Sequence, residues 1–170
     1  MELRKQDNIG YNHIMDLIPK DMTVLDLACG CGNPFKGIRF KQLVGVDIFK
    51  KRFHMPEYDV VIFDNIMNIC KLFDKDTFDV ITAIDTIEHL EKKEGYKLME
   101  DMEKIARKKV IIFTPLIWSE NKENSEDPNC WVYKNPYNYH KSLWTNEDFI
   151  SKGYSIKPCQ NNYVLAEKEI

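Results

Sequence analysis

The sequence predicts an α/β protein built on a mostly parallel β-sheet, and two features of the chain support this. Short apolar runs alternate with segments of helical periodicity along most of its 170 residues, which is the pattern of strands joined by crossover helices. Near the C-terminus, Asn161 and Asn162 separate two apolar runs, and a two-residue polar turn of this kind implies an antiparallel hairpin. We therefore expect a parallel sheet that ends in an antiparallel pair.

The same periodicities place the elements in chain order. A helix is expected at about 6–18, ahead of the first strand. In the helix predicted at 92–107, Leu98 and Met102 belong to one apolar face, which predicts burial against the sheet. Strands are predicted near 22–28, 43–48, 58–63, 78–84, 109–114, 154–159 and 162–167, and further helices near 65–73 and 145–152.

Length and composition restrict the class of protein. A chain of 170 residues with 44% hydrophobic content can bury one sizeable core, so we expect a single domain over 1–170 with 1–20 as its N-terminal helical segment. The net charge of −3 and the pI near 5.8 give no overall attraction to nucleic acid or to acidic membranes. Five scattered cysteines suit a reducing compartment, and no apolar run approaches the roughly 18 residues of a membrane span. A cytoplasmic protein is expected, with its oligomeric state left open.

A glycine-containing turn follows the first predicted strand. The turn at 28–32 contains Gly30 and Gly32, and Asp47 follows fifteen residues after Gly32 at the end of the next apolar run. Glycines let the backbone pass close to a ligand, and a carboxylate at the end of the next strand can accept hydrogen bonds from both hydroxyls of a ribose. The pattern predicts a nucleoside cofactor. A dinucleotide is disfavoured because Phe35 occupies the position of the third glycine.

The turn and its acid resemble the first motif of the class I S-adenosylmethionine-dependent methyltransferases, of the small single-domain, small-molecule type. Three later segments resemble the same family: E-H-L at 88–90, the strand at 109–115 and the stretch at 140–154 before the final hairpin. The likeness covers about 21–167. It implies a Rossmann-like three-layer sandwich with a seven-stranded, mostly parallel sheet, S-adenosylmethionine as the cofactor, and methyltransferase activity.

The resemblance also implies roles for residues along the cofactor. Asp26 would organise the glycine turn and the cofactor's amino end, although an acid at this place can also simply cap the turn. Asp64 and Asn65 follow the third strand, where the family contacts adenine, and an Asp-Asn pair is equally a helix cap. The residues expected to line the cofactor are Asp26, Ala28, Gly30, Gly32, Asp47, Ile48, Asp64, Asn65 and Asp85, with Asp47 on the ribose hydroxyls.

Candidate catalytic residues are Asp85, His89 and His140. Asp85 ends the fourth strand, where it would face the methionine moiety or the acceptor, and His89 stands one turn beyond. Methyl transfer mainly needs proximity and alignment, and a base is required only if the acceptor carries a proton. His89 is the first choice for that base, against the alternative of a packed structural histidine. The favoured function is methyl transfer to an oxygen or nitrogen of a small-molecule acceptor, without a metal.

Two alternatives stay open. Small-RNA 3′-terminal ribose methyltransferases carry a metal on an E-x-x-E-H motif with a later histidine, and Asp85, Glu88, His89 and His140 are similar. These side chains would suit a divalent ion that aligns two hydroxyls, but the first acid is Asp and the chain lacks strong positive charge. The other alternative is a non-catalytic protein that kept the fold and perhaps the cofactor and serves a partner protein.

Two segments depart from simple periodicity. Only about ten residues separate Gly32 from the second strand, so any helix between them must be brief or irregular. The long segment 116–143 is predicted to be a substrate lid, because loops of this length in compact domains are usually functional or disordered. Aromatic rings suit a lid over an apolar or planar substrate, although they could equally plug the end of the sheet. The aromatic residues of this segment are Trp131, Tyr133, Tyr137 and Tyr139.

Overall fold

A seven-stranded sheet forms the centre of the structure, a computed structural model that describes residues 9–50, 55–130 and 132–170. Its strands are β1 (Thr23–Leu27), β2 (Gln42–Asp47), β3 (Val60–Phe63), β4 (Phe78–Ile84), β5 (Ala106–Pro115), β6 (Ser155–Lys157) and β7 (Tyr163–Glu169). They lie in the order β3-β2-β1-β4-β5-β7-β6. The first five pair in parallel, and β7 pairs antiparallel with both β5 and β6. The Rossmann-like α/β fold and its C-terminal antiparallel hairpin are confirmed.

The described helices are mostly short. They are α1 (Ile9–Met15), α2 (Ile69–Leu72), α3 (Lys92–Ile105), α4 (Lys122–Glu126) and α5 (Asn146–Ile150), with three 3-10 turns at Asn33–Phe35, Ile66–Asn68 and Ile87–His89. The part of the helix predicted at 6–8 lies outside the described residues. Within the described ranges, no helix combines the length and the apolar character needed to cross a membrane.

The two faces of the sheet are covered differently. On one face, Leu98 and Met102 of α3 are buried in the larger core cluster together with Trp144, as the apolar stripe predicts. On the other face, Ile14 of α1 and Phe35 belong to a second buried cluster. The predicted brief helix after Gly32 is the single 3-10 turn at Asn33–Phe35, so this layer is thin.

Several element ends differ from the prediction for physical reasons. β6 ends at Lys157 because Pro158 has no N–H to donate to the sheet. β3 begins at Val60, because a turn precedes it in which Tyr58 donates its N–H to the carbonyl of Met55 at 3.2 Å. β5 begins at Ala106, directly after α3, through a register shift in its pairing with β4. Charged residues at 107–109 therefore belong to a strand although they break its apolar pattern.

The register brings three strand ends to one level. Leu27, the last residue of β1, pairs with Val46 of β2 and with Ala83 of β4. Because these strands are parallel, the residues that follow them meet at the carboxyl edge of the sheet, where open α/β sheets bind ligands. The segments after β1, β2 and β4 therefore lie together at this edge.

Candidate functional site

The turn after β1 has a backbone that alternates between ordinary and left-handed conformations. Ala28, Gly30 and Gly32 have φ values of 55°, 55° and 72°. Gly32 donates its N–H to the carbonyl of Cys29 at 2.8 Å, which closes the turn. Glycine adopts such angles readily, whereas Ala28 does so at a cost of roughly 1–2 kcal/mol. The turn therefore keeps a strained residue at the predicted cofactor edge.

Asp47 is oriented by the backbone of this turn. Its Oδ2 accepts the N–H of Gly30 at 2.8 Å, and its Oδ1 accepts the N–H of Phe49 at 2.7 Å. Burial raises the pKa of the carboxyl above its ordinary value, and the two backbone donors oppose this rise. Asp47 and the neighbouring Ile48 are both half-buried at the end of β2. The carboxylate thus lies where the sequence predicted a ribose partner, already fixed in orientation.

Asp26 faces the interior instead of the edge. It is 2% exposed; its Oδ2 accepts the Tyr58 hydroxyl at 2.6 Å, and its Oδ1 accepts the Thr82 hydroxyl at 2.9 Å. Burial raises the pKa of Asp26 to about 7, although both hydroxyl donors lower it. Its observed contacts are therefore structural, and they organise the strand that leads into the turn.

Tyr58 is a residue that sequence reasoning missed. A Cβ on Gly32 would lie 2.9 Å from Tyr58 Cε2, and one on Gly45 would lie 3.0 Å from the same ring. The ring also packs edge-on against Phe35, with centroids 6.3 Å apart. Tyr58 therefore supports the turn and fills space beside the short Asn33–Phe35 segment. Only its contacts with residues distant in sequence reveal this.

Asp64 and Asn65 cap the structure that follows β3. Asp64 Oδ1 accepts the N–H of Asn65 at 2.6 Å, and Asn65 Oδ1 accepts the N–H of Met67 at 2.9 Å. Hydrogen bonds from Asn68 and Asn65 hold the pKa of Asp64 below its ordinary value. The backbone of Asp64 is tied to the carbonyl of Asp47 at 3.1 Å. The capping alternative is seen, while the adenine contact stays a prediction.

Asp85 follows β4 in the left-handed region, with φ 47°. Its N–H donates to the carbonyl of Phe113 at 2.8 Å, and Tyr11 donates its hydroxyl to Oδ2 at 2.8 Å. Burial raises the pKa of Asp85, and the Tyr11 hydrogen bond lowers it. The structure therefore places Asp85 at the carboxyl edge, one strand away from the glycine turn.

Glu88 is a second buried carboxyl on the same side. It is 2% exposed, and its Oε2 accepts the Thr114 hydroxyl at 2.7 Å. Burial, and then the charge of Asp85, raise its pKa. Because the pKa values of the neighbouring Asp85 and Glu88 carboxyls are both raised, this pair favours binding a proton or a cation.

His89 and His140 form a pair of rings beyond β4. Their centroids are 4.8 Å apart at an interplanar angle of 76°, and His89 Nδ1 lies 3.3 Å from the carbonyl oxygen of Tyr139. A carbonyl can only accept, so we assign the proton of His89 to Nδ1, which leaves Nε2 as an acceptor. Burial and then His140 lower the pKa of His89 to about 4, and burial lowers that of His140. His89 is thus neutral at physiological pH.

The chain after the long loop is anchored so that His140 reaches His89. The N–H groups of Lys141 and Ser142 donate to the carbonyl of Glu88 at 2.8 and 3.1 Å. Trp144, which is fully buried, donates its indole N–H to the carbonyl of Ile87 at 3.3 Å. The turn that carries Glu88 is therefore fixed to the segment that carries His140.

Glu88, His89 and His140 could together hold a metal ion. One ligand atom from each residue lies within 4.8 Å of the others, and one carboxylate oxygen with two imidazole nitrogens suits divalent transition metals. Ligands about 2.0–2.2 Å from one ion are at most about 4.4 Å apart. The observed spacing is close to this limit, and Asp85 does not belong to this group.

The long segment 116–143 has its own internal structure. Its polar part contains α4, and Ser125 accepts a hydrogen bond from Asn138 Nδ2 at 3.1 Å. Ile117, Trp118 and Tyr137 are about half exposed, at 57%, 49% and 48%. Trp131 lies outside the described residues. Apolar side chains are thus available just beyond β5, and the lid role stays a prediction.

Comparisons with known proteins agree with this geometry. The model of a family described as "methyltransferase domain" matches residues 25–114, and no curated protein matches the chain. A protein of Pyrococcus horikoshii OT3 is 20% identical, with a TM-score of 0.68 and coverage of 98% of this chain and 90% of that one. A SAM-dependent methyltransferase of Archaeoglobus fulgidus is 17% identical, with a TM-score of 0.66 and coverage of 98% and 95%. The methyltransferase domain of a bacterial Hen1 protein is 18% identical, with a TM-score of 0.58 and coverage of 99% and 100%. At such identities the structural likeness shows the fold alone.

The sheet topology, with a glycine turn after β1 and Asp47 at the end of β2, is that of the Rossmann-like class. The chain belongs to the methyltransferase domain family, whose matched segment begins in β1 and ends in β5. It is a class I S-adenosylmethionine-dependent methyltransferase.

Proposed function

We propose that the protein transfers the methyl group of S-adenosylmethionine to an oxygen or nitrogen of a small-molecule acceptor. The observation that carries the proposal is the His89–His140 pair at the carboxyl edge of the sheet, with ring centroids 4.8 Å apart. The pKa of His89 is lowered to about 4, so a neutral imidazole is available at physiological pH to take a proton from an acceptor. The half-exposed Ile117 and Trp118 offer an apolar surface for the acceptor's body.

Each group along the cleft has a distinct part in this proposal. The cofactor supplies an activated methyl group. Asp47 binds the ribose hydroxyls, Asp85 faces the methionine end of the cofactor, and His89 accepts the acceptor's proton through Nε2. The protein's main contribution is to hold donor and acceptor in line and away from water. A cytoplasmic location is part of the proposal, supported by the five scattered cysteines of the sequence, which suit a reducing compartment.

The experiment is a screen for S-adenosylhomocysteine release with a panel of small hydroxyl and amine acceptors. His89→Gln should lower kcat about 100-fold or more on the best acceptor, because general base catalysis contributes about 10²–10⁴. The affinity for S-adenosylhomocysteine should stay unchanged. His13→Gln is the matched control, because His13 is exposed on α1. An unchanged kcat in His89→Gln would contradict the role as base.

The Glu88, His89 and His140 group favours a second candidate function, metal-assisted methyl transfer to the 2′-oxygen at an RNA 3′ end. Here the three side chains would hold a divalent ion that aligns two ribose hydroxyls. The same screen should include a short RNA with and without Mn²⁺. Activity on the RNA that needs Mn²⁺ and disappears in His140→Asn would favour this candidate. Metal-independent activity on a small acceptor would reject it.

A further inference from the structure

Tyr11 of α1 reaches a residue 74 positions away at the cofactor edge. Its hydroxyl donates to Asp85 Oδ2 at 2.8 Å. The position of α1 is fixed by Ile14 and Ile18, which are 0% and 3% exposed in the core cluster of the second face. Lys109 of β5 also donates to the carbonyl of Leu17 at 3.3 Å. Tyr11 is therefore held by an anchored segment.

Tyr11 and Asp85 share Phe113 as a common support. The ring of Tyr11 packs edge-on against Phe113, with centroids 6.0 Å apart at 62°. Phe113 accepts the N–H of Asp85 through its carbonyl and stacks on Tyr163 with centroids 4.7 Å apart. Asp85 keeps a left-handed backbone, which persists only where the surroundings determine it strongly. The backbone of Asp85 is therefore held by Phe113, and its side chain is held by the hydroxyl of Tyr11.

This pair lies beside the glycine turn. β1 and β4 are neighbouring strands whose ends are level at Leu27 and Ala83. Burial and then Asp85 raise the pKa of the Tyr11 hydroxyl, and Cys31 of the turn is close enough to add to this rise. Tyr11 therefore lies beside both Asp85 and the glycine turn.

We propose that Tyr11 is a positioning residue, which orients the Asp85 carboxylate toward the amino-acid end of the cofactor. This inference rests on the placement of Asp85 in the proposed function. The ammonium group of that end is the chemistry an oriented carboxylate recognises. A Tyr11→Phe variant keeps the ring that packs on Phe113 and removes only the donor. If the role of Tyr11 were merely structural, this variant would weaken the binding of every ligand at the site. If Tyr11 is a positioning residue, the variant weakens the binding only of ligands that carry the amino-acid end.

The test is titration calorimetry with two probes, S-adenosylhomocysteine and 5′-methylthioadenosine, which lacks the amino-acid end. We expect Tyr11→Phe to weaken the binding of S-adenosylhomocysteine about tenfold, because the variant loses a hydrogen bond to a charged group. The affinity for 5′-methylthioadenosine should change less than twofold. In an Asp85→Asn background, Tyr11→Phe should have no further effect, because the two residues act as one unit.

The matched control is Tyr96→Phe. Tyr96 makes the same kind of bond, from its hydroxyl to Asp148 Oδ1 at 2.6 Å, between α3 and α5. Both affinities should be unaffected in this variant. Equal weakening of both probes in Tyr11→Phe, or unchanged S-adenosylhomocysteine binding, would overturn the inference while leaving the acceptor proposal intact. Failure of the wild-type protein to bind S-adenosylhomocysteine would overturn the cofactor placement itself.

Discussion

At the scale of single residues, Tyr58 links three features of the predicted cofactor edge. Its hydroxyl bonds Asp26, and its ring lies against the glycine turn and Gly45. The buried Asp26 needs this donor, because its pKa is already raised to about 7 by burial. A buried polar group that loses its hydrogen-bond partner destabilises the fold by more than the hydrogen bond itself contributes.

We predict that Tyr58→Phe lowers the free energy of unfolding by about 1–2 kcal/mol, the cost of leaving one buried partner unsatisfied. Urea unfolding measures this directly. Tyr58→Leu should lower the free energy of unfolding further, because a cavity beneath the turn adds to the effect of the lost hydrogen bond. Tyr137→Phe is the control, as Tyr137 is 48% exposed. Equal stability of Tyr58→Phe and wild type would contradict the support role.

At the scale of elements, one carboxylate joins three strands at the edge opposite the site. Asp79 at the start of β4 accepts the N–H and the hydroxyl of Thr23 of β1, each at 3.0 Å. Arg107 and Lys108 of β5 approach the same carboxylate at 3.1 and 3.2 Å. The hydrogen bonds from Thr23 and the ammonium group of Lys108 lower the pKa of Asp79 to about 2.

We predict that Asp79→Asn costs about 2 kcal/mol of stability at pH 7. The folded-state pKa is below the ordinary value of 3.8, so the stabilisation is complete well above pH 3.8 and is lost as pH falls through about 2. The difference between the two proteins in unfolding free energy should therefore shrink over that window. Asp76→Asn is the control, because its pair with Lys75 is exposed. A difference that persists at pH 2 would contradict the assignment.

Helix α3 has a glycine where contact with Trp144 leaves no room for a side chain. A Cβ on Gly95 would lie 2.3 Å from Trp144 Cζ2 and 3.0 Å from Ile87 Cγ1. Alanine is the better helix former by about 1 kcal/mol, so helix propensity alone favours the substitution. Overpacking in a fully packed core costs about 1–3 kcal/mol of stability. Here the added Cβ would lie much closer to Trp144 than van der Waals contact allows.

We predict that Gly95→Ala destabilises the protein by about 2 kcal/mol, measured by urea unfolding. It should also lower activity, because Trp144 and the turn before His89 fix the segment that carries His140. Glu100→Ala, on the exposed side of the same helix, is the control for helix propensity. Trp144→Phe in the Gly95→Ala background should restore part of the stability. A stabilised Gly95→Ala variant would disprove the packing account.

At the scale of the whole molecule, the sequence predicted the sheet well, and the cofactor contacts of the residues at its carboxyl edge stay predictions. The strand positions could be predicted from apolar runs, and the position of Asp47 at the end of β2 from its spacing after Gly32, because both signals are local in sequence. The role of Tyr58 and the Tyr11–Asp85 bond could not be predicted, because they join residues brought together only by folding. The approach of His140 to His89 depends on the anchors at 141–144, which leave no periodic signal.

The candidate site is assembled from distant parts of the chain. The turn after β1, Asp47 after β2, Asp85 after β4 and the segment that carries His140 meet because the parallel strands end at one edge. Asp47 is the residue on which the cofactor assignment most depends. Its carboxylate is held by Gly30 and Phe49, and we expect its loss to remove the proposed ribose contacts with little effect on the distant core.

The most direct test is titration calorimetry of S-adenosylhomocysteine with wild type, Asp47→Ala and Asp59→Ala. Asp59 is the matched control, since its carboxylate also accepts a backbone N–H, from Leu43 at 2.8 Å, at the opposite end of β2. We predict micromolar binding to wild type and to Asp59→Ala and a loss of about 100-fold in Asp47→Ala, the effect of removing hydrogen bonds to a charged group. Equal affinity in all three proteins, or no binding to wild type, would contradict the cofactor site described above.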